Sequence, residues 1–231
     1  MQIHGFNKTT LLDYPKHLAA TVFLGGCNMR CPFCHNASLV LNAFSQPTIP
    51  EQEVLSYLAK RKTILEGVCI TGGEPTLYPD LPEFISRIKA LGFKVKLDTN
   101  GTNPKMMTSL MSNGLLDYIA MDIKNSKEKY SLTAGLDPIS MEPILESVNL
   151  LKSSHLDYEF RTTIVQEYHT TEDILSIGHW LSGANAYYLQ SYQDSGDILK
   201  PGLHSHTKET LEEYVTLLSP MISYVSIRGV D

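Results

Sequence analysis

Three of the four cysteines in this 231-residue chain fall within eight residues, Cys27-Asn-Met-Arg-Cys31-Pro-Phe-Cys34, on a stretch opened by Gly25-Gly26. Thiols spaced this closely hold a metal centre. A [4Fe–4S] cube ordinarily takes four cysteines, so three leave one iron with an open coordination position, a place for chemistry rather than a staple. Cys69 lies too far along the chain to belong to this loop. Its setting, Gly67-Val-Cys-Ile-Thr71, suits a small buried hydrophobe.

Two plainer readings compete. With His35 next in line, the loop also offers a Cys3His set for structural zinc, but such sites usually draw their ligands from two separated knuckles. Four ligands within nine residues would tie down one loop and nothing else. A disulfide framework is a poor fit, because a chain of this length buries a core without staples. Iron–sulfur is the favoured reading, with zinc as its competitor.

The length suits one α/β domain of the larger kind, spanning 1–231, with 1–17 as an N-terminal extension packing on it. Nineteen basic against 25 acidic residues give a net charge of −6. That argues against a nucleic-acid-binding surface, which draws on clustered Lys and Arg. No apolar run approaches membrane-spanning length, and the first residues, Met1-Gln-Ile-His-Gly-Phe, lack the pattern of a secretory signal. The expected location is the cytoplasm, where thiols stay reduced.

Periodicity predicts strands over 18–24, 67–71, 93–98, 117–123, 158–165, 186–190 and 224–227, several apolar enough to be buried on both faces. Helices alternate with them. Pro50 opens one at its first turn, Asn103-Pro104 caps and starts another, Gly92 and Gly114 mark stops, and further helices cover about 140–153, 171–181 and 207–218. A repeated β-α order implies a parallel sheet wound one way. Polar and glycine-rich groups then fall at the carboxyl ends of successive strands, the edge where α/β folds bind ligands. They are Gly25-Gly26 with the cysteine loop, Gly72-Gly73-Glu74-Pro75, Asp98-Thr99-Asn100-Gly101, and Asp122-Ile123-Lys124.

The C-x-x-x-C-x-x-C spacing, with Phe33 just before its last cysteine, resembles the signature of the radical S-adenosylmethionine (radical SAM) enzymes, and Gly72-Gly73-Glu74-Pro75 resembles their second hallmark. Asp98-Thr99-Asn100-Gly101 and Asp122-Ile123-Lys124 resemble runs found in the branch that activates glycyl radical enzymes. The opening Ile3-His4-Gly5-Phe6 and Leu11-Leu12-Asp13-Tyr14-Pro15, with the cysteine loop, is similar to the anaerobic ribonucleoside-triphosphate reductase activating proteins. The likeness is dense over residues 1–124 and thinner afterwards. The chain is longer than the smallest of these proteins, and Cys69 alone leaves no ferredoxin-like insertion.

The resemblance implies a partial (β/α)6 barrel with an open side, parallel strands inside outer helices. It implies a [4Fe–4S] cluster on Cys27, Cys31 and Cys34, and S-adenosylmethionine held by Phe33, Gly72, Gly73, Glu74, Asp98, Thr99, Asp122, Lys124 and Arg161. The backbone of the glycine pair would approach the methionine amino group, where a missing Cβ helps. Lys124 suits a carboxylate, whereas Asp122 beside it would need a proton or a cation. The implied reaction is one-electron cleavage of the sulfonium to a 5′-deoxyadenosyl radical, which takes the Cα hydrogen of a glycine in a partner reductase. An electron donor such as flavodoxin or ferredoxin is implied too. No side chain is expected to be catalytic beyond cluster and cofactor, which carry the chemistry.

Other residues point to ordinary roles. His204 and His206 beside Pro201-Gly202 suit a solvated loop, His179 and Trp180 a helix flank and core, and Lys127 and Lys129 a solvated face. Two further classes stay open: a radical SAM enzyme with a small-molecule substrate, similar to 7-carboxy-7-deazaguanine synthase, and a non-enzymatic metal-binding or electron-carrier module.

Overall fold

A computed structural model describes residues 1–230, a mostly parallel sheet of eight strands whose order follows the chain. The chain divides into two compact units. The first comprises Met1–Asn28, Ser38–Ala120 and His155–Asp157, the second Met29–Ala37, Met121–Ser154 and the chain from Tyr158 onward. The α/β class expected from the sequence is what the chain adopts.

In the first unit β1 (Ile3–Thr10) lies antiparallel to β2 (Ala19–Leu24), and β2, β3 (Gly67–Gly72) and β4 (Lys94–Thr99) run parallel. The fully buried Ala20, Val22, Val68, Ile70, Val95 and Leu97 explain why these strands pack: short, largely branched apolar runs covered on both faces. α1 (Ala37–Leu41) follows the cysteine loop; α2 (Glu51–Arg61) and α3 (Leu81–Ala90) connect the strands. On α3 the buried Leu81, Phe84, Ile85 and Ile88 recur at the spacing of one helical face. α2 carries Glu51 and Glu53 in its first turn and Lys60 and Arg61 in its last, matching the helix dipole at both ends. α4 (Pro104–Ser112) starts at Asn103, whose side chain accepts from Met106 N at 3.2 Å.

β5 (Tyr118–Asp122) leads into the second unit, which holds α5 (Tyr130–Ala134), α6 (Glu142–Lys152), α7 (Thr171–Leu181) and α8 (Lys208–Leu218). There β6 (Asp157–Ile164), β7 (Tyr187–Ser191) and β8 (Val225–Arg228) run parallel, with Phe160, Ile164, Tyr187 and Leu189 fully buried. A reciprocal capping box of Thr170 and Asp173 starts α7. At Gly178 on α7 a Cβ would lie 2.6 Å from Leu218 Cδ2 and from Met221 Cε, so the ends of those two side chains would have to move aside.

The structure departs from the sequence pattern in three places. Periodicity predicts no strand before residue 18, yet β1 occupies Ile3–Thr10; the central residues Asn7, Lys8 and Thr9 are exposed, so an apolar run never forms. β1 also breaks the purely parallel pattern. Pro50 is the extended residue preceding α2, not a member of its first turn.

Candidate cofactor site

In the first unit the site is built on the ends of β2, β3 and β4. Gly73 N–H donates to Leu24 O at 2.7 Å, and Glu74 N–H donates to Gly26 O at 2.8 Å. The two glycine pairs thus lie backbone against backbone. A Cβ at Gly73 would stand 1.9 Å from Gly26 O, and one at Gly72, whose φ is +112°, would stand 2.4 Å from Leu24 O. Any side chain here would therefore push apart the segment that introduces Cys27.

Glu74 is fully buried and spends both carboxylate oxygens inside the protein. Oε1 accepts from Thr76 N at 3.0 Å, Thr76 Oγ1 at 2.5 Å and Thr99 Oγ1 at 2.8 Å, while Oε2 accepts from Asn100 N at 2.6 Å. Burial pushes its carboxyl above the usual range, and the donated hydrogen bonds pull the other way. The residue braces the loop after β3 to the end of β4. Asn100, only 5% exposed, extends that brace: its Nδ2 lies 2.9 Å from Asn28 Oδ1 and 3.9 Å from Cys27 Sγ. Asp98 is paired with Lys96, whose Nζ also lies 3.8 Å from Cys69 Sγ. Cys69 is buried on β3, as its apolar setting predicts.

In the second unit the loop carrying Cys31, Phe33 and Cys34 is clamped along its length. Arg30 N–H donates to Ala134 O at 2.8 Å, Cys34 N–H to Cys31 O at 3.0 Å, Lys200 N–H to Pro32 O at 2.9 Å and Ala37 N–H to Asp197 O at 3.3 Å. Gly135, at φ +65°, comes so close that a Cβ would meet Arg30 O at 2.0 Å. Phe33 is buried against Tyr168 and His169, with ring centroids 6.2 and 6.1 Å away. His169 Nε2 in turn lies 2.9 Å from Lys124 O.

Asp122 closes β5 with both oxygens engaged: Oδ1 accepts from Arg161 Nε at 2.9 Å and Oδ2 from Lys124 Nζ at 3.1 Å. Burial opposes its charge, but the guanidinium and the ammonium outweigh burial and hold its carboxyl down to about 2. Burial likewise opposes the charge of Lys124, and Asp122 offsets this enough to lift the ammonium well above the usual lysine range. Cys31 adds to that lift, and Lys124 in return pulls the burial-raised Cys34 thiol down. The triad stands within electrostatic reach of two thiols. The screening cation that Asp122 was expected to need is supplied by the protein itself.

Asn28, Lys96 and Asn100 were not singled out from the sequence. Asn28 follows Cys27 and Asn100 sits inside the Asp-Thr-Asn-Gly run, so position pointed to both; nothing local marks Lys96 as 2% exposed. His204 is exposed and bonded through Nδ1 to Glu167 at 2.6 Å, and His206 Nε2 reaches His169 O at 3.0 Å, so each is otherwise engaged. Among the described residues no three His, Cys, Asp or Glu side chains stand close enough together to hold a single metal ion.

Residues 21–181 match the Radical SAM superfamily. A Methanocaldococcus jannaschii protein, provisionally named a glycyl-radical enzyme activating enzyme, is 33% identical over 99% of this chain and 96% of its own. This chain belongs to the radical SAM superfamily. A second relative, from Thermococcus kodakarensis and provisionally named a GTP 3′,8-cyclase, is 33% identical but covers 53% of this chain and 39% of its own. The crystal structure of Streptococcus suis SuiB bound to S-adenosylmethionine superposes on the fold with a TM-score of 0.70 at 15% identity, over 90% of this chain and 52% of that one. Radical SAM proteins bind a [4Fe–4S] cluster and S-adenosylmethionine. The donors in each unit fit that chemistry: none of the loop cysteines is in a disulfide; in the first unit an amide stands near Cys27 Sγ, and in the second the Lys124 ammonium acts on both Cys31 and Cys34.

Proposed function

We propose that this radical SAM enzyme is an oxidoreductase that activates a glycyl radical enzyme, most closely an anaerobic ribonucleoside-triphosphate reductase, in the cytoplasm. The observation carrying this reading is the likeness to the Methanocaldococcus protein, which runs through nearly the whole of both chains. The cyclase likeness covers less than half of that relative, and a small-molecule substrate is the reading it would favour. When bound, the cluster and S-adenosylmethionine supply one-electron cleavage of the sulfonium and hydrogen-atom abstraction, the electron coming from a flavodoxin- or ferredoxin-class donor.

The chain's own residues then have these parts. Cys27, Cys31 and Cys34 ligate three irons. The Gly72-Gly73 backbone receives the methionine amino group, with Glu74 bracing the turn. Asp98 and Thr99 serve the ribose side. Lys124 and Arg161 meet the carboxylate while Asp122 fixes where both cations stand. Phe33, held by Tyr168 and His169, offers an apolar face to the adenine. The 1–231 chain acts as one radical SAM domain; the family match, 21–181, runs through both compact units.

The test is activation itself. Reduced protein with S-adenosylmethionine and the partner reductase should give a glycyl radical signal in the partner by electron paramagnetic resonance, with one 5′-deoxyadenosine per radical. Deuterium at the partner's glycine Cα should appear in that product. Productive cofactor cleavage that needs no protein partner and carries no label would move the assignment to a small-molecule enzyme.

A further inference from the structure

In the first unit the turn after β4 closes a ring of side chains beside Cys27. Thr102 N–H donates to Asn100 Oδ1 at 3.0 Å, the turn an asparagine makes with the backbone two residues on. A backbone N–H can only donate, so this bond fixes which end of the Asn100 amide is oxygen. Its Nδ2 therefore faces the other way, toward Asn28 Oδ1 at 2.9 Å and Cys27 Sγ at 3.9 Å. Asn28, with its oxygen committed to Asn100, sets its own Nδ2 against Thr102 Oγ1 at 2.8 Å. That hydroxyl accepts from Asn28 and gives its hydrogen to Asn100 Oδ1 at 2.7 Å. The three bonds run head to tail, from Asn100 to Asn28 to Thr102 and back, and no member can turn round without breaking two of them.

The ring is held at both sides. Asn100 is only 5% exposed, and its backbone N–H donates to Glu74 Oε2 at 2.6 Å. Asn28 is the neighbour of Cys27 in the chain and faces solvent. Hydrogen bonds that run in one direction polarise one another, so the amide of Asn100 is a stiffer and stronger dipole inside the ring than outside it. One hydrogen of its Nδ2 goes to Asn28, and the other is left for the Cys27 side. At 3.9 Å the contact is long even for sulfur, so it acts as a fixed dipole with its positive end toward the thiol. Nothing assigned above requires this arrangement. The brace to Glu74 uses the backbone of Asn100, and the cofactor residues on β4 are Asp98 and Thr99.

We propose that the ring of Asn28, Thr102 and Asn100 raises the reduction potential of the cluster through Cys27. One-electron reduction adds negative charge to a cluster and its thiolates, and hydrogen-bond donors at the sulfurs favour the more negative state. An amide does this without offering a proton that the thiolate could take from it. Asn28 and Thr102 are positioning residues: they keep Nδ2 rather than Oδ1 toward the sulfur, and the reversed amide would push the potential down. The inference rests on Cys27 being a cluster ligand and is independent of the substrate.

The experiment is a reductive titration of the anaerobic, cluster-loaded protein without S-adenosylmethionine, using dithionite and mediators, with the reduced cluster read by electron paramagnetic resonance. The midpoint of Asn100→Leu should lie below that of wild type, so that at a poise half-reducing the wild type the reduced-to-oxidised ratio falls severalfold. Thr102→Val should move the same way by less, since the backbone N–H at that position still holds Asn100 Oδ1. Thr102→Ser, which restores the hydroxyl, should return the midpoint to wild type. A midpoint of Asn100→Leu at or above wild type would overturn the proposal, as would an unmoved Thr102→Val or a Thr102→Ser displaced as far as the valine. Weakened S-adenosylmethionine binding in Asn100→Leu with an unmoved midpoint would also overturn it, making Asn100 a cofactor contact instead. Iron content shows whether Asn100→Leu still carries its cluster, and if it does not, the two Thr102 variants decide. Cys27→Ala with wild-type iron content would sink the ligand assignment beneath the proposal, a failure read from iron and not from potential.

Discussion

Asp122 shows how a single residue's neighbours decide its role. Read in sequence, an aspartate beside a substrate carboxylate is a liability; in the structure it is the anchor of two cations. Its folded-state carboxyl sits at about 2, below the unfolded value of about 3.9. On acidification the unfolded chain takes the proton first, so the stability Asp122 contributes is full above about pH 4 and is lost as pH falls toward 2. Asp122→Asn should cost roughly 2–3 kcal/mol at pH 7 by urea titration of the metal-free protein, with the difference from wild type shrinking below pH 4. A difference that stays flat across that window would mean the triad does not set the carboxyl's charge. Lys124→Ala should spare iron binding and weaken S-adenosylmethionine by roughly 10- to 100-fold, the worth of one charge-assisted hydrogen bond. Unchanged affinity would remove Lys124 from the carboxylate. The sequence could show that Asp122, Lys124 and Arg161 are present. It could not show that they neutralise one another, because Arg161 lies 39 residues from Asp122 along the chain and meets it only when β6 takes its place beside β5.

At the scale of elements, the strands were legible to within a residue: 67–71 became Gly67–Gly72 and 158–165 became Asp157–Ile164. Buried parallel strands read as apolar runs, which is why these were found and the polar edge strand β1 was not. Short helices such as α1 and α5, at five residues each, carry too few turns to show a period. The glycine pair after β3 was legible as a motif, but its closeness to the backbone of Leu24 and Gly26 was not, because that contact forms only when β2 and β3 pair. Gly73→Ala should therefore disturb the turn that introduces Cys27, lowering iron per chain and costing about 2 kcal/mol or more, since overpacking against backbone has no rotamer escape. Gly92→Ala is the control: φ is +94° but the space is open. It should cost about 1–2 kcal/mol from backbone strain alone and leave iron content intact. Equal iron loss in both would mean that general instability, not the β2–β3 contact, governs the loop.

For the molecule as a whole, the four thiols divide cleanly between loop and core. Cys69 is 0% exposed on β3 with Val68 and Ile70 beside it, and its sulfur faces the ammonium of Lys96 rather than any second thiol. Nothing in that setting offers a second cluster its ligands, so the cysteine count limits this chain to one. Anaerobically purified protein should carry about four irons, the content of a single [4Fe–4S] cube. Replacing Cys27, Cys31 or Cys34 by Ala should abolish S-adenosylmethionine cleavage. Cys69→Ala should keep both iron and cleavage, with only the small stability loss expected of removing a buried sulfur. If Cys69→Ala instead lost the cluster while its fold, read by circular dichroism, stayed intact, the loop would not be the whole ligand set. The open iron on which the S-adenosylmethionine chemistry depends would then have to be placed elsewhere.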